Sequence, residues 1–473
     1  MNRIRRLQGM DDLAGPEWLA MSNAREQLGS LFGFYGYAPL ETPVLEEADL
    51  FLRKMGGEMA VRMYTFTDPG GNHVALRPEF TASVVRRYLE AGNAVPQPWR
   101  VRYCGPVFRY ESETEWRQFT QAGVELIGPA GPQADAEILQ LAYAALKTLG
   151  VSDVAITVGD AGVYHSVIGQ LGLSDRARSF VLRSIGLLGK GDTGLAKVKK
   201  EAERLHLLRG AKGEDVSGLP DLDEDTYRIV LRHFLTQGSG GVFGQRTPQE
   251  IEQRLLNKLR GDRPERMVKA LEVANLLAGI KGRPDKALDE ARRILKRSGL
   301  QAETLDNLQA GLGLAVESGV PEGALTLDLG LARGIAYYTG FVFEVASQAR
   351  GTVLGGGGRY DSLIRELGYS NDVPALGFAL TLESIVKEAQ SVGSTSNADK
   401  PVLVVPADRG ASIAAIRKAQ ALRDKGFAVE MELLERSKAE RSAYARMKGI
   451  ERIVIVDSTG QSTETDSEGG PLC

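Results

Sequence analysis

Cysteine is nearly absent from this sequence: its 473 residues include only Cys104 and Cys473. Two thiols so far apart make neither a disulfide framework nor a metal-ligand spacing, and a reducing compartment is expected. Histidine is equally sparse. His73, His165, His206 and His233 are scattered, none at ligand spacing with another, so each is expected to be structural or on the surface and no metal site is expected. No serine or cysteine nucleophile motif occurs, so no catalytic residue is assigned. No stretch approaches the roughly 18 uninterrupted apolar residues of a membrane span. Met1–Gly15 is charged and lacks the apolar stretch of a signal peptide. These absences predict a soluble, cytoplasmic protein. Nor is there an excess of one charge: 58 Lys and Arg face 61 Asp and Glu, for a net −3. No basic field advertises a nucleic-acid partner.

The composition that remains is that of a globular protein, 43% hydrophobic and 25% charged. At roughly 100–200 residues per domain the length corresponds to about two to four domains. Periodicity predicts helices over 21–34, 80–91 and 134–149, strands over 40–45, 100–103, 107–110 and 119–126, and a hairpin of 63–67 with 73–76 around Asp68-Pro-Gly-Gly-Asn72. A strand at 155–158 precedes a mostly helical stretch from 161 to about 318, with helical periodicity at 249–258, 265–277 and 285–298. Strand character returns at 325–329, 341–345 and 351–358. A helix at 360–367, a strand at 375–382 and a helix near 383–389 follow. Strands, then helices, then strands again predict one α+β domain with an inserted helical domain. The small, polar segment Ser391–Lys400 reads as a linker. Beyond it, 402–406, 413–425, 428–433, 438–448 and 452–456 read β-α-β-α-β, and 458–473 reads as a frayed tail.

Four segments could carry chemistry. In Leu76-Arg-Pro-Glu-Phe-Thr81, Glu79 and Thr81 at a strand-to-helix junction could bind a ligand amine. The same residues also make an ordinary helix start, with a proline in the first turn and an acid favoured by the helix dipole. In Gly105–Glu111 and Trp116–Glu125, alternation puts Arg109 with Glu111 on one face, and Gln121, Gly123 and Glu125 together on another. Buried carboxylates need partners, so both a ligand site and an internal ion-pair network fit. In Leu331–Glu344, Arg333 could hold a carboxylate or phosphate in two-pronged fashion, and Tyr337 or Tyr338 could cover a ring. The fourth is Gly355-Gly-Gly-Gly-Arg-Tyr-Asp361. Gly355, Gly356, Gly357 and Gly358 lose much backbone entropy on folding, a cost justified where backbone must approach a ligand or another strand closely. No Gly-Lys-Ser/Thr follows, so it is not a phosphate-cradling P-loop.

Taken together, these blocks resemble the histidyl-type class II aminoacyl-tRNA synthetase family. Tyr37–Glu46 looks like its first motif, Phe108–Glu125 like its second, Gly377–Glu383 like its third, and 333–344 with 355–361 like its histidine signatures. The resemblance implies a discontinuous synthetase-like core at 1–150 and 321–390, a helical insertion at 151–320, a linker at 391–400, and a truncated anticodon-binding-like α/β domain at 401–473. It also implies a histidine pocket. Glu79, Thr81, Gln121 and Glu125 would meet the amino and imidazole groups, Arg333 the carboxylate, and Tyr337 and Tyr338 the ring. Arg109 and Glu111 would remain from an ATP site.

Two functions share that scaffold: histidine–tRNA ligation, and the regulatory subunit of ATP phosphoribosyltransferase. Four departures favour the second. Working ligases end the third motif in Glu-Arg, and here it ends Glu383-Ser384. Phe80 stands where Leu-Arg-Pro-Glu-Gly-Thr has glycine, the loop Ser112–Trp116 is short, and Ala336 replaces an aspartate. Phe119–Gly128, Tyr337–Gly340 and Gly159–Val163 look like the regulatory subunit. The expectation is therefore a non-catalytic homodimer within a hetero-oligomer. It would activate a catalytic phosphoribosyltransferase subunit and mediate feedback by histidine, with no cofactor, no tRNA and no membrane. ATP and Mg would be required only by the ligase alternative.

Overall fold

The computed structural model describes residues 4–53, 60–110, 116–208, 264–331, 337–390, 402–434, 436–466 and 470. Expectations for Glu111, the 112–115 loop residues, the 249–258 helix, Arg333, Ala336 and the 391–400 linker lie outside them. The chain divides into two compact units, Met1–Gly393 and Ser394–Cys473. Among the described residues no helix is long and apolar enough to cross a membrane.

In the first unit the strands are β1 (Ala38–Pro39), β2 (Leu45–Glu47), β3 (Thr65–Thr67), β4 (His73–Leu76), β5 (Trp99–Phe108), β6 (Gln118–Ile127) and β7 (Val154–Asp160). They continue with β8 (Lys281–Gly282), β9 (Leu325–Asp328), β10 (Phe341–Ser347), β11 (Val353–Arg359) and β12 (Ala375–Thr381). Nine of them form one sheet in the order β1-β5-β6-β12-β11-β10-β7-β9-β8, and β2-β4-β3 form a small second sheet. The large sheet is mostly antiparallel, with parallel pairs at β1·β5 and β7·β9, so the unit is α+β with a mixed sheet.

Alternation along β6 separates two environments. Ala122, Val124 and Leu126 join the main core with Met21, Leu28 and Phe32 of the helix Gly15–Phe34 and Ile138 and Ala142 of the helix Pro132–Thr148. Met21, Ala24, Leu28 and Phe32 recur at helical spacing, which gives that first helix one apolar stripe. Gln121, Gly123 and Glu125 point to the opposite face, beneath the helix Thr81–Ala91, and are buried there too.

Several elements differ from the sequence reading. The strands expected at 100–103 and 107–110 are one strand, β5, because Cys104-Gly-Pro106 continues the pairing with β6 through to Phe108. Arg109 therefore lies just past the strand. The expected strand at 40–45 is absent: strand structure occurs only at Ala38–Pro39 and Leu45–Glu47, since Thr42 and Pro43 carbonyls turn to the buried Arg77 guanidinium. The helix expected over 360–367 shrinks to Leu363–Glu366, because the Tyr360 N–H is still donated across the sheet to Ala375. The stretch 151–320 is not detached from the sheet. β7 pairs with β10 and β9, and the Asp160 carboxylate at its end caps the next helix through Gly162 N (2.6 Å) and Val163 N (3.3 Å).

The second unit holds β13 (Val402–Pro406), β14 (Val429–Met431), β15 (Arg452–Val456) and β16 (Ser462–Asp466), ordered β14-β13-β15-β16. The first three are parallel, as β-α-β-α-β predicts. The expectation of a frayed tail from Ser458 is corrected. Asp457 accepts from Thr459 N and Gln461 N, closing a turn that returns β16 antiparallel to β15, and Arg452 grips Glu464 at 2.9 and 2.6 Å.

Candidate functional site

A cavity of about 590 Å³ opens on the face of the sheet opposite the first helix. It falls in the size range of small-molecule pockets, roughly 300–1,000 Å³. Its walls come from both distant blocks: Glu79, Thr81, Arg109 and Gln121 from the first, and Tyr337, Tyr338, Gly355, Gly356, Gly357, Tyr360 and Gly377 from the second. Seven of the residues expected in a histidine pocket or ATP site, Glu79, Thr81, Arg109, Gln121, Tyr337, Tyr338 and Glu125, thus fall in or directly behind one cavity.

Glu79 serves two ends. Its carboxylate accepts from Thr81 N and, at 2.9 Å, from Ala82 N, so it caps the helix Thr81–Ala91, while the same side chain lines the cavity. Burial pushes its pKa up, opposed by those two N–H groups and by the Arg109 charge. Gln121 is buried, and its Oε1 finds no hydrogen-bond partner among the described residues. An unpaired buried carbonyl costs roughly 1–3 kcal/mol, which a ligand N–H would recover.

Glu125 lies behind the wall. It is 1% exposed and accepts from Thr81 Oγ1 (2.7 Å), Tyr103 OH (3.2 Å) and Tyr360 OH. Burial is the largest influence on its carboxyl, and raises its pKa to about 8 against the pull of the hydroxyl donors. Residues that sequence reasoning did not single out, Tyr103 and Tyr360, thus orient this carboxyl. The signal was present: alternation along β5 puts Val101, Tyr103 and Val107 inward, and Tyr360 closes the glycine run.

The four glycines are a strand, not a loop. Gly355, Gly357 and Gly358 pair with β12 and β10 within β11. A Cβ at Gly357 would collide with Gly377 O and the Phe378 backbone, and one at Gly358 would meet Phe341 O at 2.5 Å and the Tyr338 ring at 3.0 Å. Gly355, Gly356 and Gly357 border the cavity, and Gly358 lies behind the Tyr338 ring. The following Arg359 and Asp361 are braces: Arg359 holds Asp135 (2.5 Å) and Asp361 (3.2 Å), and Asp361 accepts from Ala375 N (2.9 Å).

Phe80, buried at 2% exposure, stacks on Tyr103 at 4.3 Å and 7°, under the Arg77 guanidinium at 4.0 Å. Arg109 donates to Pro78 O (2.8 Å), sits 5.3 Å from the Phe119 ring and borders the cavity. On the helix Leu382–Gln390, Glu383 accepts from Thr120 N at 2.8 and 2.9 Å, and Ser384 lines the cavity. Among the described residues no three His, Cys, Asp or Glu side chains converge as a metal site.

The arrangement is a cleft of small-molecule size, with buried polar groups on its inner wall, on a mixed sheet. The family model for histidyl-tRNA synthetase matches residues 9–209 and 252–385. The chain belongs to the histidyl-tRNA synthetase family. It shares 29% identity with the histidine–tRNA ligase of Pyrococcus furiosus over 99% of this chain and 95% of that one. It shares 28% with the ATP phosphoribosyltransferase regulatory subunit of Desulforamulus reducens, over 96% of each. A solved Bacillus halodurans structure described as ATP phosphoribosyltransferase regulatory subunit/histidyl-tRNA synthetase aligns with a TM-score of 0.66 at 20% identity, covering 97% of this chain and 99% of that one. The fold is thus that of class II synthetases. Relatives of nearly equal identity carry two different names, and the choice between them falls to individual residues.

Proposed function

We propose that this chain is a non-catalytic, cytoplasmic regulatory subunit of ATP phosphoribosyltransferase. In this reading it binds histidine in the synthetase-like cavity and conveys feedback to a catalytic subunit within a hetero-oligomer. The observation that carries the reading is Ser384. The third-motif helix keeps Glu383, which anchors it to Thr120, yet presents a serine to the cavity where working ligases present arginine. Losing a charge partner to a bound polyanion costs about 2–5 kcal/mol. Phe80, wedged between Arg77 and Tyr103, supports the reading as a second departure from the ligase pattern.

In the inner half of the cavity, Gln121 Oε1 would take an N–H of the ligand. Glu79 would face the ammonium, Glu125 with its hydroxyl partners would fix the inner wall, and Tyr337 and Tyr338 would flank the ring. Arg333 would pair with the carboxylate. No cofactor is required for that role.

Histidine-dependent ATP–pyrophosphate exchange decides between the readings. No exchange, together with histidine-sensitive activation of an added catalytic phosphoribosyltransferase subunit, is expected. Robust exchange would establish the second reading, a divergent histidine–tRNA ligase using ATP and Mg, which the retained Arg109 at the cavity favours.

A further inference from the structure

Phe80 and Thr81 are consecutive, and both lead to the same buried carboxyl. Thr81 borders the cavity and donates directly to Glu125 at 2.7 Å. Phe80 reaches Glu125 through a second ring. It stacks on Tyr103 with centroids 4.3 Å apart and planes 7° from parallel, and the Tyr103 hydroxyl stands 3.2 Å from Glu125 Oε1 and 3.3 Å from Phe378 O. The stack rests on a fixed base. The Arg77 guanidinium, 4.0 Å from the Phe80 ring, is itself held by Pro106 O at 2.8 Å and Thr42 O at 2.6 Å. Two glycines of the paired strands β5 and β6 make room for the rings. A Cβ at Gly105 would stand 3.1 Å from Phe80 Cζ, and one at Gly123 would stand 2.7 Å from the Tyr103 hydroxyl.

Core filling would explain a buried apolar side chain at position 80. It does not explain a parallel stack on a phenol whose hydroxyl reaches a carboxyl of the ligand site. Leucine would fill the same space without holding that phenol flat. We propose that Phe80 is a specificity-determining positioning residue. By holding Tyr103 flat it fixes the Glu125 carboxyl, and with it the Thr81 and Tyr360 hydroxyls that border the cavity and meet a ring N–H of the ligand. This proposal rests on the histidine reading of the cavity.

Calorimetry on the full chain compares histidine with β-(2-thienyl)alanine, whose five-membered ring has no N–H. Phe80→Leu is expected to weaken histidine about three- to tenfold and to leave the thienyl analogue within about twofold. Tyr103→Phe keeps the stack and removes only the hydroxyl, and should weaken histidine roughly tenfold. Adding Phe80→Leu to Tyr103→Phe should then cost little more, because both changes break one path. If the analogue binds too weakly to measure, the double variant decides alone. Equal weakening of both ligands, additive losses in the double variant, or unchanged histidine affinity in Phe80→Leu would overturn the proposal and leave Phe80 a core residue.

If the parent binds no histidine at millimolar concentration, the histidine reading falls, and the pH profile of urea unfolding tests Phe80 by itself. Among the described residues, the titratable groups around Glu125 are Glu79, Tyr103, Tyr337 and Tyr360. The Tyr103 hydroxyl pulls the raised Glu125 pKa down, so losing that donor moves the fall in stability to higher pH. Phe80→Leu should move it in the same direction as Tyr103→Phe, and an unshifted profile would overturn the proposal.

Discussion

Tyr360 donates its hydroxyl proton to the Glu125 carboxyl, although 235 positions separate them in the chain. Glu125 lies on β6 and Tyr360 directly follows β11, and these strands are not neighbours: β12 runs between them. The contact exists because Gly377 of β12 pairs with both Glu125 and Gly358 and has no side chain to block the path.

Gly377→Ala places a methyl group on Glu125 Oε2 and on Val124 O. Overpacking of this kind costs about 1–3 kcal/mol. Urea unfolding should show that loss, and histidine binding should weaken with it, because the carboxyl must move. An unchanged midpoint would mean the strands relax freely.

Stability should fall as pH rises from about 5 to 8. Glu125 and Asp160 are buried carboxyls with pKa values raised to about 8 and about 7, above their usual range. The folded state keeps protons that the unfolded state releases above its ordinary carboxyl pKa. The stabilising contribution is therefore complete below that pKa and lost as pH climbs through the folded values. Each group contributes a slope of up to about 1.4 kcal/mol per pH unit. Glu125→Gln should flatten the profile in urea melts between pH 5 and 8. A slope equal to that of the parent would refute the assignment to Glu125.

Phe80→Ala removes a ring packed between Arg77 and Tyr103. The expected loss is about 3–5 kcal/mol, the usual range for a buried phenylalanine. Phe80→Leu should retain most of the stability by denaturant titration. An equal loss in both variants would show that stacking, not volume, matters.

Arg359→Gln strands the mostly buried Asp135 carboxylate without its cation. Breaking such a pair costs about 3–5 kcal/mol. The double variant with Asp135→Asn should recover part of it, because no unpaired charge is left. Additive losses in the double-mutant cycle would argue against coupling.

Gln121→Met keeps the bulk of the side chain and removes the carbonyl that has no partner among the described residues. Histidine affinity should drop roughly tenfold or more with no loss of melting temperature. Unchanged calorimetric affinity would move histidine to another surface, such as a subunit interface.

Much of this was legible because it is local. Periodicity marked helices at 21–34, 134–149 and 285–298, which the structure places at Gly15–Phe34, Pro132–Thr148 and Pro284–Arg297, and the Asp68–Asn72 turn marked the β3–β4 hairpin. Period-two alternation by itself assigned Gln121, Gly123 and Glu125 to one face. The glycine run signalled close approach, though not to what. Tertiary structure decided the rest. Helix propensity in 360–367 lost to a cross-sheet hydrogen bond, and the polar tail became β16 because β15 offered an open edge. It also decided that Glu125 faces three hydroxyls and that Glu79 caps a helix as well as lining the cavity. Sequence spacing fixes which side of a strand a residue occupies. Only packing fixes what stands opposite, and burial opposite a neutral hydroxyl or a charge sets the chemistry of each carboxyl.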